Sequence, residues 1–294
     1  MRIWVNKQKI GGGTDRRWGS ISGVSVGHGK ITTDVTRANH YEDVLAYWDA
    51  SGWALPDAAP SAAFNTMITS IGGTLLNKAE FFNFFSTHNQ DCSLTNWATA
   101  GVAFNPTAEN NPTWTQYGGY AGDAVAVRYL RGNFIPSVHG TKIGQDNMCV
   151  LVGVGNTVDN EYVLGASNSV IFSQTFLAPI AGGGLYRTAI NTGNTSNNVA
   201  NAIGTAHFGI SRGFAANYDR YINLAKSNVI LASANLTNLE MYFCCYNRDG
   251  VPTQISASPL RYVWLSSYLT EAEMGTVVNA IETCLDSLGT GLIP

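Results

Sequence analysis

Short apolar runs separated by turn-forming residues fill the chain from about residue 109 to residue 265, and they restrict the possible folds more than any other feature. Asn, Gly and Ser stand between the runs, and no stretch of helical periodicity separates one run from the next. A parallel α/β fold needs such helices, so the pattern predicts antiparallel sheets packed as a sandwich. The predicted strands are Val125–Leu130, Met148–Val154, Val170–Phe172, Leu185–Ile190, Ala206–Ile210, Tyr218–Leu224, Val229–Leu231, Leu239–Tyr246 and Leu260–Leu265.

Residues 41–108 form a different zone, which we interpret as a helical lead-in to the sandwich of residues 109–294. Apolar residues between 64 and 71 have the spacing of one helix face, and Gly72 with Gly73 is expected to end that helix. The next segment, with phenylalanines at 81, 82, 84 and 85, fits either a helix or a buried strand. We favour a helix there.

The end of the chain carries the clearest local signal. Thr270 and Glu273 have the spacing of a capping box, in which each side chain satisfies a backbone N–H of the first helical turn. Apolar residues then recur at helical spacing up to residue 288, and Gly289 follows as a stop signal. The pattern predicts an amphipathic helix over 271–288 that lies across an edge of the sandwich.

Few charges are present in the 294 residues: Lys, Arg, Asp and Glu make up 13%, about half of the roughly 25% usual in soluble domains. A net charge of −3 argues against a general nucleic-acid-binding surface. No apolar run reaches the length of a membrane span, and the N-terminus lacks the apolar core of a secretory signal. Five cysteines without a metal-binding spacing predict buried free thiols.

The first 40 residues are Gly-rich and basic, with six Lys or Arg and one Asp among the first thirty. Such a segment buries too little apolar area to fold alone, so it is either a solvated tail or an arm that orders on a partner subunit. Tryptophans in the segment favour the arm, because solvated tails seldom carry them. The candidate anchoring residues are Ile3, Trp4, Ile10, Arg16, Arg17 and Trp18.

Four segments occur in an order that resembles a known family. They are PTWTQYGGYAGDAVAVRYL at 112–130, NFIPS at 133–137, AHFGISRGFAANYDRYIN at 206–223 and RYVWLSSYLTEAEMGTVVNAIETCLDSL at 261–288. Together they look like the concanavalin A-like (LamG-type) jelly-roll domain of bacteriophage tail-fibre, head-fibre and decoration proteins. The resemblance covers roughly residues 62–288. It implies a virion structural protein, synthesised in the cytoplasm of a bacterial host, that forms a homo-oligomer, with a trimer as one option, and contacts other virion proteins through its N-terminal arm.

Sugar recognition suits the low charge content, because aromatic rings stack on sugar C–H groups while amides and charged side chains bind hydroxyls. Two segments collect these residue types. The candidate carbohydrate-binding residues are Trp114, Tyr117, Tyr120, Asn217, Tyr218, Arg220 and Tyr221. Packing inside the sandwich is the alternative role for each aromatic residue. No cofactor is implied; Asp123, Asp159 and Asp219 are the carboxylates to consider for Ca²⁺, although none has a ligand-dense spacing.

Catalysis is not expected. Retaining glycoside hydrolysis uses two carboxylates roughly 5–5.5 Å apart, and no E-x-D-x-E pattern of the sandwich glucanases occurs. Glu271 and Glu273 are two residues apart but belong to a helix N-terminus, where acidic residues complement the helix dipole. We therefore expect a binding module for a host-surface glycan or receptor. The alternatives are an architectural virion component without a ligand and, after that, a glycan depolymerase.

Overall fold

The computed structural model describes residues 40–158, 161–193 and 195–293. The predicted N-terminal arm, with its candidate anchoring residues, and Asp159 lie outside the described residues. From His40 onward the described chain belongs to one compact unit, so the expected lead-in and the sandwich fold together. Its helices are α1 (His40–Ala50), α2 (Ala58–Lys78), the short α3 (Gln90–Ser93) and α4 (Pro136–His139), and α5 (Glu271–Ser287).

Two sheets dominate the described part of the chain, as the apolar runs predict. Sheet A contains β1 (Ala79–Phe84), β3 (Thr113–Thr115), β4 (Gly119–Ala121), β6 (Met148–Val154), β11 (Ala206–Phe214), β12 (Asn217–Ile222), β13 (Ala225–Ile230) and β17 (Leu260–Ser266). Sheet B contains β2 (Thr107–Glu109), β5 (Tyr129–Arg131), β7 (Leu164–Asn168), β8 (Ser173–Ala181), β9 (Leu185–Thr192), β10 (Asn197–Ala200), β14 (Tyr242–Phe243), β15 (Tyr246–Arg248) and β16 (Val251–Thr253).

The strand order places β13 at one edge of sheet A, beside β12. Along sheet A the order is β13-β12-β11-β6-β17-β4-β3, and β1 also pairs with β17. Along sheet B the order is β10-β9-β8-β7-β14-β5-β2, and β15 joins β7 and β16. The described strand pairs are antiparallel except for β7 with β15. The predicted mainly-β sandwich is therefore confirmed.

Two apolar layers hold the unit together. The first fills the space between the sheets and includes Val150, Val152, Phe208 and Val263. The second lies between the outer face of sheet A and the helices α2 and α5, where Trp264 packs with the apolar side of α5. The sandwich is thus covered by helices on one of its outer faces.

Two predictions for the segment around Gly73 differ from the structure: the helix does not end at Gly72 and Gly73, and the segment after them is only partly helical. Gly72 has a left-handed φ of 76° and kinks α2, yet the helix resumes and runs to Lys78. Residues 79–84 then form strand β1 instead of a helix. Phe82 and Phe84 contact the helical layer, whereas Phe81 faces the layer between the sheets. A strand buried on both faces is apolar throughout and does not alternate, which is why its sequence resembled a buried helix.

Helix α5 begins and caps as predicted. The Thr270 hydroxyl accepts the backbone N–H of Glu273, and the Glu273 carboxylate accepts the N–H of Thr270. Its location at a sandwich edge was wrong: Val277, Ile281 and Leu285 pack on the outer face of sheet A. No described helix has the length and apolar character needed to cross a bilayer.

Two predicted strands are turns in the structure. Most of Val125–Leu130 belongs to a loop whose Asp123 carboxylate accepts the N–H of Val125, and Val125 is exposed. Likewise, Val170–Phe172 forms a loop in which the Asn168 side chain accepts the N–H of Val170. Side-chain caps of this kind define tight turns, and apolar composition alone concealed them. The five cysteines are free and buried, as predicted.

Candidate functional site

The outer face of sheet A is covered by helices over its centre and uncovered near β13. Strands β12 and β13 pair so that Asn217 lies opposite Ile230, Asp219 opposite Asn228, and Tyr221 opposite Lys226. These pairs share the outer face, and the pairs between them point into the sandwich. We call the outward set the open face; its members are Asn217, Asp219, Tyr221, Lys226, Asn228 and Ile230.

Local sequence explains why this face is polar. In β12 and β13 the inward-facing Tyr218, Arg220 and Val229 are buried. The outward residues are mainly amide or charged side chains, and all of them except Tyr221 are partly or fully exposed. This alternation is typical of an antiparallel strand with one solvated face. Tyr221 is buried because it lies at the boundary with the helical layer.

A buried arginine holds one end of the open face in place. Arg212 is fully buried, and its guanidinium donates to the carbonyl oxygens of Phe214, Ala215, Asn217, Ile190 and Leu231 at 2.8–3.2 Å. Burial lowers the pKa of Arg212. Five carbonyl acceptors at a single guanidinium fix the turn between β11 and β12 and satisfy a cation that is costly to desolvate.

An aromatic pair stands at that turn, formed by the exposed Phe214 and by the partly buried Tyr268 from the segment before α5. Phe214 is 64% exposed, and its ring centre lies 6.4 Å from that of Tyr268 in an edge-to-face arrangement. The Tyr268 ring covers Gly213 so closely that an added Cβ there would come within 2.9–3.0 Å of the ring. The Tyr268 N–H donates to the Asn147 side-chain oxygen at 2.8 Å. The pair is therefore an ordered apolar platform beside the polar open face.

A cavity of about 460 Å³ lies at the other end of the open face. Tyr221, Leu224, Glu271, Ala272 and Gly275 line it, so its walls come from the hairpin β12–β13 and from the first turns of α5. Its volume falls within the roughly 300–1,000 Å³ of small-ligand pockets. The hydroxyl oxygen of Tyr221 is buried and has no hydrogen-bond partner in the described part of the chain.

Charged groups surround the mouth of this cavity. The Lys226 ammonium lies 3.2 Å from the Glu271 carboxylate and 3.5 Å from the Asp219 carboxylate. The Asn228 amide also donates to Asp219 at 3.1 Å. The hydrogen bond to Glu271, followed by the charge of Asp219, raises the pKa of Lys226. Two carboxylates thus share the Lys226 ammonium near the protein surface. Because surface ion pairs contribute little to stability, these groups can rearrange around polar groups of a ligand at little cost in free energy.

The mouth of the cavity offers hydrogen-bonding groups to a polar ligand. Asp219 and Glu271 both contact the Lys226 ammonium. The arrangement can hold hydroxyl and amide groups.

No three His, Cys, Asp or Glu side chains converge on a potential metal site within the described ranges. Of the calcium candidates, Asp123 caps its own turn and lies 3.8 Å from Arg128. Asp219 is engaged by Lys226 and Asn228.

A second depression, of about 420 Å³, lies beside Glu161, whose carboxylate accepts hydrogen bonds from the Ser256 hydroxyl and the backbone N–H of Ala257.

Comparison with known proteins bears on the fold. No protein-family model matches the sequence, and no curated protein is similar to it. Among solved structures, a mutant of Trypanosoma rangeli sialidase displaying trans-sialidase activity aligns with a TM-score of 0.51 at 10% identity, over 83% of this chain and 39% of that one. The chain thus spans about two fifths of that sialidase. At this identity the likeness shows a shared β-sandwich fold alone.

Two further solved structures are similar at lower scores. The binding domain of botulinum neurotoxin DC, in complex with rat synaptotagmin II, has a TM-score of 0.49 at 12% identity, over 70% of this chain and 52% of that chain. A CBM40 domain of a Ruminococcus gnavus sialidase has a TM-score of 0.38 at 12% identity, over 46% and 84%.

The sequence-predicted sugar residues are not brought together. Trp114, Tyr117 and Tyr120 lie on or beside β3 and β4, at the opposite edge of sheet A from β13. Tyr120 is fully buried, and its hydroxyl accepts from Ser93. The half-buried Trp114 donates its indole N–H to the carbonyl of Phe85.

The second predicted group divides between the two faces of β12. The Tyr218 hydroxyl bonds to Thr188 in the layer between the sheets, and Arg220 reaches Asn197 at 2.7 Å in the interior. Only Asn217 and Tyr221 of this group belong to the open face. The odd spacing between 218 and 221 was the available signal, because strand residues three apart point to opposite faces.

Sequence reasoning missed Phe214, Lys226, Asn228, Tyr268 and Gly275. Phe214 stands inside the quoted segment 206–223, at the position where the hairpin turns, so its exposure could have been anticipated. Lys226 and Asn228 belong to β13, which pairs with β12, whereas Tyr268 and Gly275 come from later in the chain and reach the site through the packing of α5.

Proposed function

We propose that this protein is a glycan-binding β-sandwich whose open face, with the aromatic pair Phe214–Tyr268, forms the binding surface. The observation that carries the proposal is an ordered, solvent-exposed aromatic platform next to amide and carboxylate side chains on an uncovered sheet face. Sugars need this combination of an apolar plane for C–H groups and planar polar groups for hydroxyls. The similarity in fold to a glycan-acting sialidase is consistent with it.

The test is glycan binding by the full chain, screened on an array and quantified by calorimetry. Phe214→Ser removes the exposed ring while leaving Arg212 and the turn backbone unchanged. We expect affinity for the identified glycan to fall at least tenfold without a change in the unfolding midpoint. The matched control is Val125→Ser, which alters another exposed apolar residue on a loop away from the open face. Equal affinity in all three proteins would remove the aromatic platform from the site.

We further propose that the module acts in a bacteriophage virion, where it attaches the particle to a host-surface glycan or receptor. The support is the family resemblance of residues 62–288 and the basic, tryptophan-containing first 40 residues, which suit an arm that binds other virion proteins. Immunogold labelling of purified particles tests the location. Deleting residues 1–35 is expected to leave a folded sandwich that no longer enters particles.

An architectural role without a ligand is the second candidate. It is favoured by the neutral composition, because contacts between subunits bury surface on which unpaired charges are costly. Failure of an antibody against the open face to label intact particles, because neighbouring subunits cover that face, would support this role. Antibody labelling of the open face that a soluble glycan competes away supports recognition.

A further inference from the structure

Gly275 in α5 has no role that the chain itself explains. It lies inside a regular helix, where glycine is less favourable than alanine because it loses more backbone freedom. A Cβ built on Gly275 meets no heavy atom within 4 Å, so close packing does not require the glycine. The glycine therefore lowers helix stability without serving close packing, and it leaves open space beside the helix. Here that space is the cavity beside Tyr221.

Tyr221 supplies a second, independent indication at the same place. Its side chain is 1% exposed, and its hydroxyl oxygen is buried without a partner among the described residues. Buried polar groups in folded proteins are nearly always hydrogen-bonded. Burial, the largest cause, raises the pKa of Tyr221, so the phenol keeps its proton and needs an acceptor. Because Tyr221 lines the cavity, a ligand there that reaches this hydroxyl would supply the acceptor.

The lining of the cavity restricts the chemistry of the ligand group. Leu224, Ala272 and Gly275 present apolar walls, and Tyr221 adds one donor. The carboxylates of Asp219 and Glu271 at the mouth add acceptors. A sugar hydroxyl inside such a cavity would face apolar walls and lose partners that water gave it. An acetamido group instead combines a methyl for the walls, a carbonyl oxygen for Tyr221 and an N–H for a carboxylate.

We infer that this cavity receives the acetamido group of an N-acetylated sugar, an inference that rests on the proposed glycan binding. The methyl group packs against Leu224 and Ala272 in the space beside Gly275. The carbonyl oxygen accepts the Tyr221 hydroxyl, and the N–H donates to Asp219 or Glu271. The open face binds the remaining ring hydroxyls through Asn217 and Asn228. The ligands are therefore glycans that contain an N-acetylhexosamine.

The experiment compares matched ligands on the full chain by calorimetry. The probes are N-acetylglucosamine and N-acetylgalactosamine, each paired with the free amino sugar and with the plain hexose, first as methyl glycosides and then as short oligomers. We expect the better N-acetylated ligand to bind at least tenfold more tightly than both of its partners. Equal affinity across each set overturns the acetamido inference and leaves the proposed function standing. Absence of binding to every glycan, on the array as well, overturns both.

Variants locate the effect in the cavity. Gly275→Val fills the space from the helix side, and Tyr221→Phe removes only the hydroxyl. Both are expected to reduce the preference for the N-acetylated ligand at least fivefold while the weaker affinity for the plain hexose persists. Asn279→Val, on the exposed side of α5, is the control for Gly275→Val. Because valine lowers helix stability at either site, thermal unfolding confirms that each variant is folded. An unchanged preference in Gly275→Val and Tyr221→Phe excludes this cavity.

Discussion

Sheet A has two halves on its outer face, and the same strand geometry carries opposite chemistry in each. Over β1, β6 and β17 the outward residues include the large buried side chains of Phe82, Leu151 and Trp264, which pack in one layer with α2 and α5. Over β12 and β13 the outward residues are mainly two amides, a carboxylate and a lysine, and α5 reaches them only with its first turns, at the cavity. The covered half supplies stability. The open half has polar groups held at fixed positions by a scaffold whose stability lies elsewhere.

The difference teaches where mutations should act on folding and where on binding. If the division is real, substitutions in the covered half change the free energy of unfolding, and those on the open face change affinity. Residues at the boundary should affect both. Four substitutions test this separation, in order of decreasing expected effect on stability.

Trp264→Ala in the covered half should have the largest effect. Trp264 is fully buried and packs 5.1 Å from the ring of Phe82. Removing so large a buried side chain leaves a cavity and is expected to cost about 3–5 kcal/mol in urea unfolding. Trp264→Phe is the control, because the indole N–H has no hydrogen-bond partner among the residues that the structure describes and its loss should cost far less. Similar losses in both variants would show that ring volume is not what stabilises this layer.

Glu282→Gln should change how the free energy of unfolding depends on pH. The carboxylate accepts the backbone N–H groups of Leu292 and Ile293 and contacts His207, whose other ring nitrogen lies 2.6 Å from the Tyr262 hydroxyl. Burial raises the pKa of Glu282, but these hydrogen bonds outweigh burial and hold it below its ordinary value. A carboxyl with a lowered pKa stabilises the fold above its unfolded-state pKa, and that stabilisation is lost as pH falls through the folded-state pKa.

At pH 7, Glu282→Gln is therefore expected to cost about 1.5–3 kcal/mol, the range for hydrogen bonds to charged groups. Between pH 5 and pH 3 the original protein should lose more stability than the variant, so the two unfolding curves converge. Parallel loss across that range would mean that the Glu282 carboxylate is not the group responsible. Glu271→Gln, at the exposed start of the same helix, controls for the general effect of removing an acidic residue.

Gly275 lies at the boundary between the two halves, and Gly275→Ala should increase the free energy of unfolding. The new methyl meets nothing within 4 Å, so the helix gains about 0.5–1 kcal/mol from the better helix former. Affinity for a glycan should fall at the same time, since the methyl occupies part of the cavity. Urea unfolding and calorimetry on one preparation measure both changes. A more stable protein with undiminished affinity would detach the cavity from the binding surface.

Asn228→Ala on the open face should change stability least, by less than about 0.5 kcal/mol, as exposed substitutions usually do. Its amide donates to Asp219 and otherwise faces solvent. Glycan affinity is expected to fall threefold or more, because the substitution removes an amide that can bind sugar hydroxyl groups on the open face. Ser227→Ala, at the neighbouring position that faces inward to Arg220, is the comparison. A larger loss of affinity in Ser227→Ala would contradict the assignment of faces.

Much of the architecture was predictable because it depends on local patterns. Strands β6, β9, β11, β12 and β17 follow predicted runs whose apolar composition and turn residues stand in the sequence, and the capping box at Thr270 determines the start of α5. Errors arose where local and tertiary signals conflict. Strand β1 has a helix-like composition because both of its faces are buried, and the loop at Val170 is apolar although it is exposed.

The candidate site was harder to predict, since its parts come from different elements. Tyr221 and Asn217 were found because they occur in one aromatic segment, but Tyr218 and Arg220 of that segment face the interior. Gly275 and Glu271 belong to a helix more than forty residues later. No spacing rule connects them to β12, because the connection is made by the packing of α5 on sheet A.

The sequence by itself determined the class of fold and the low-charge surface, because strand alternation, turn residues and helix caps are properties of neighbours along the chain. Only the tertiary structure decided which outward residues remain uncovered. That depends on where α2 and α5 end over sheet A, on how Arg212 collects five carbonyl groups from three segments, and on the space that Gly275 leaves beside Tyr221. These are contacts between residues far apart in the chain, and the free energy that selects them belongs to the packed whole.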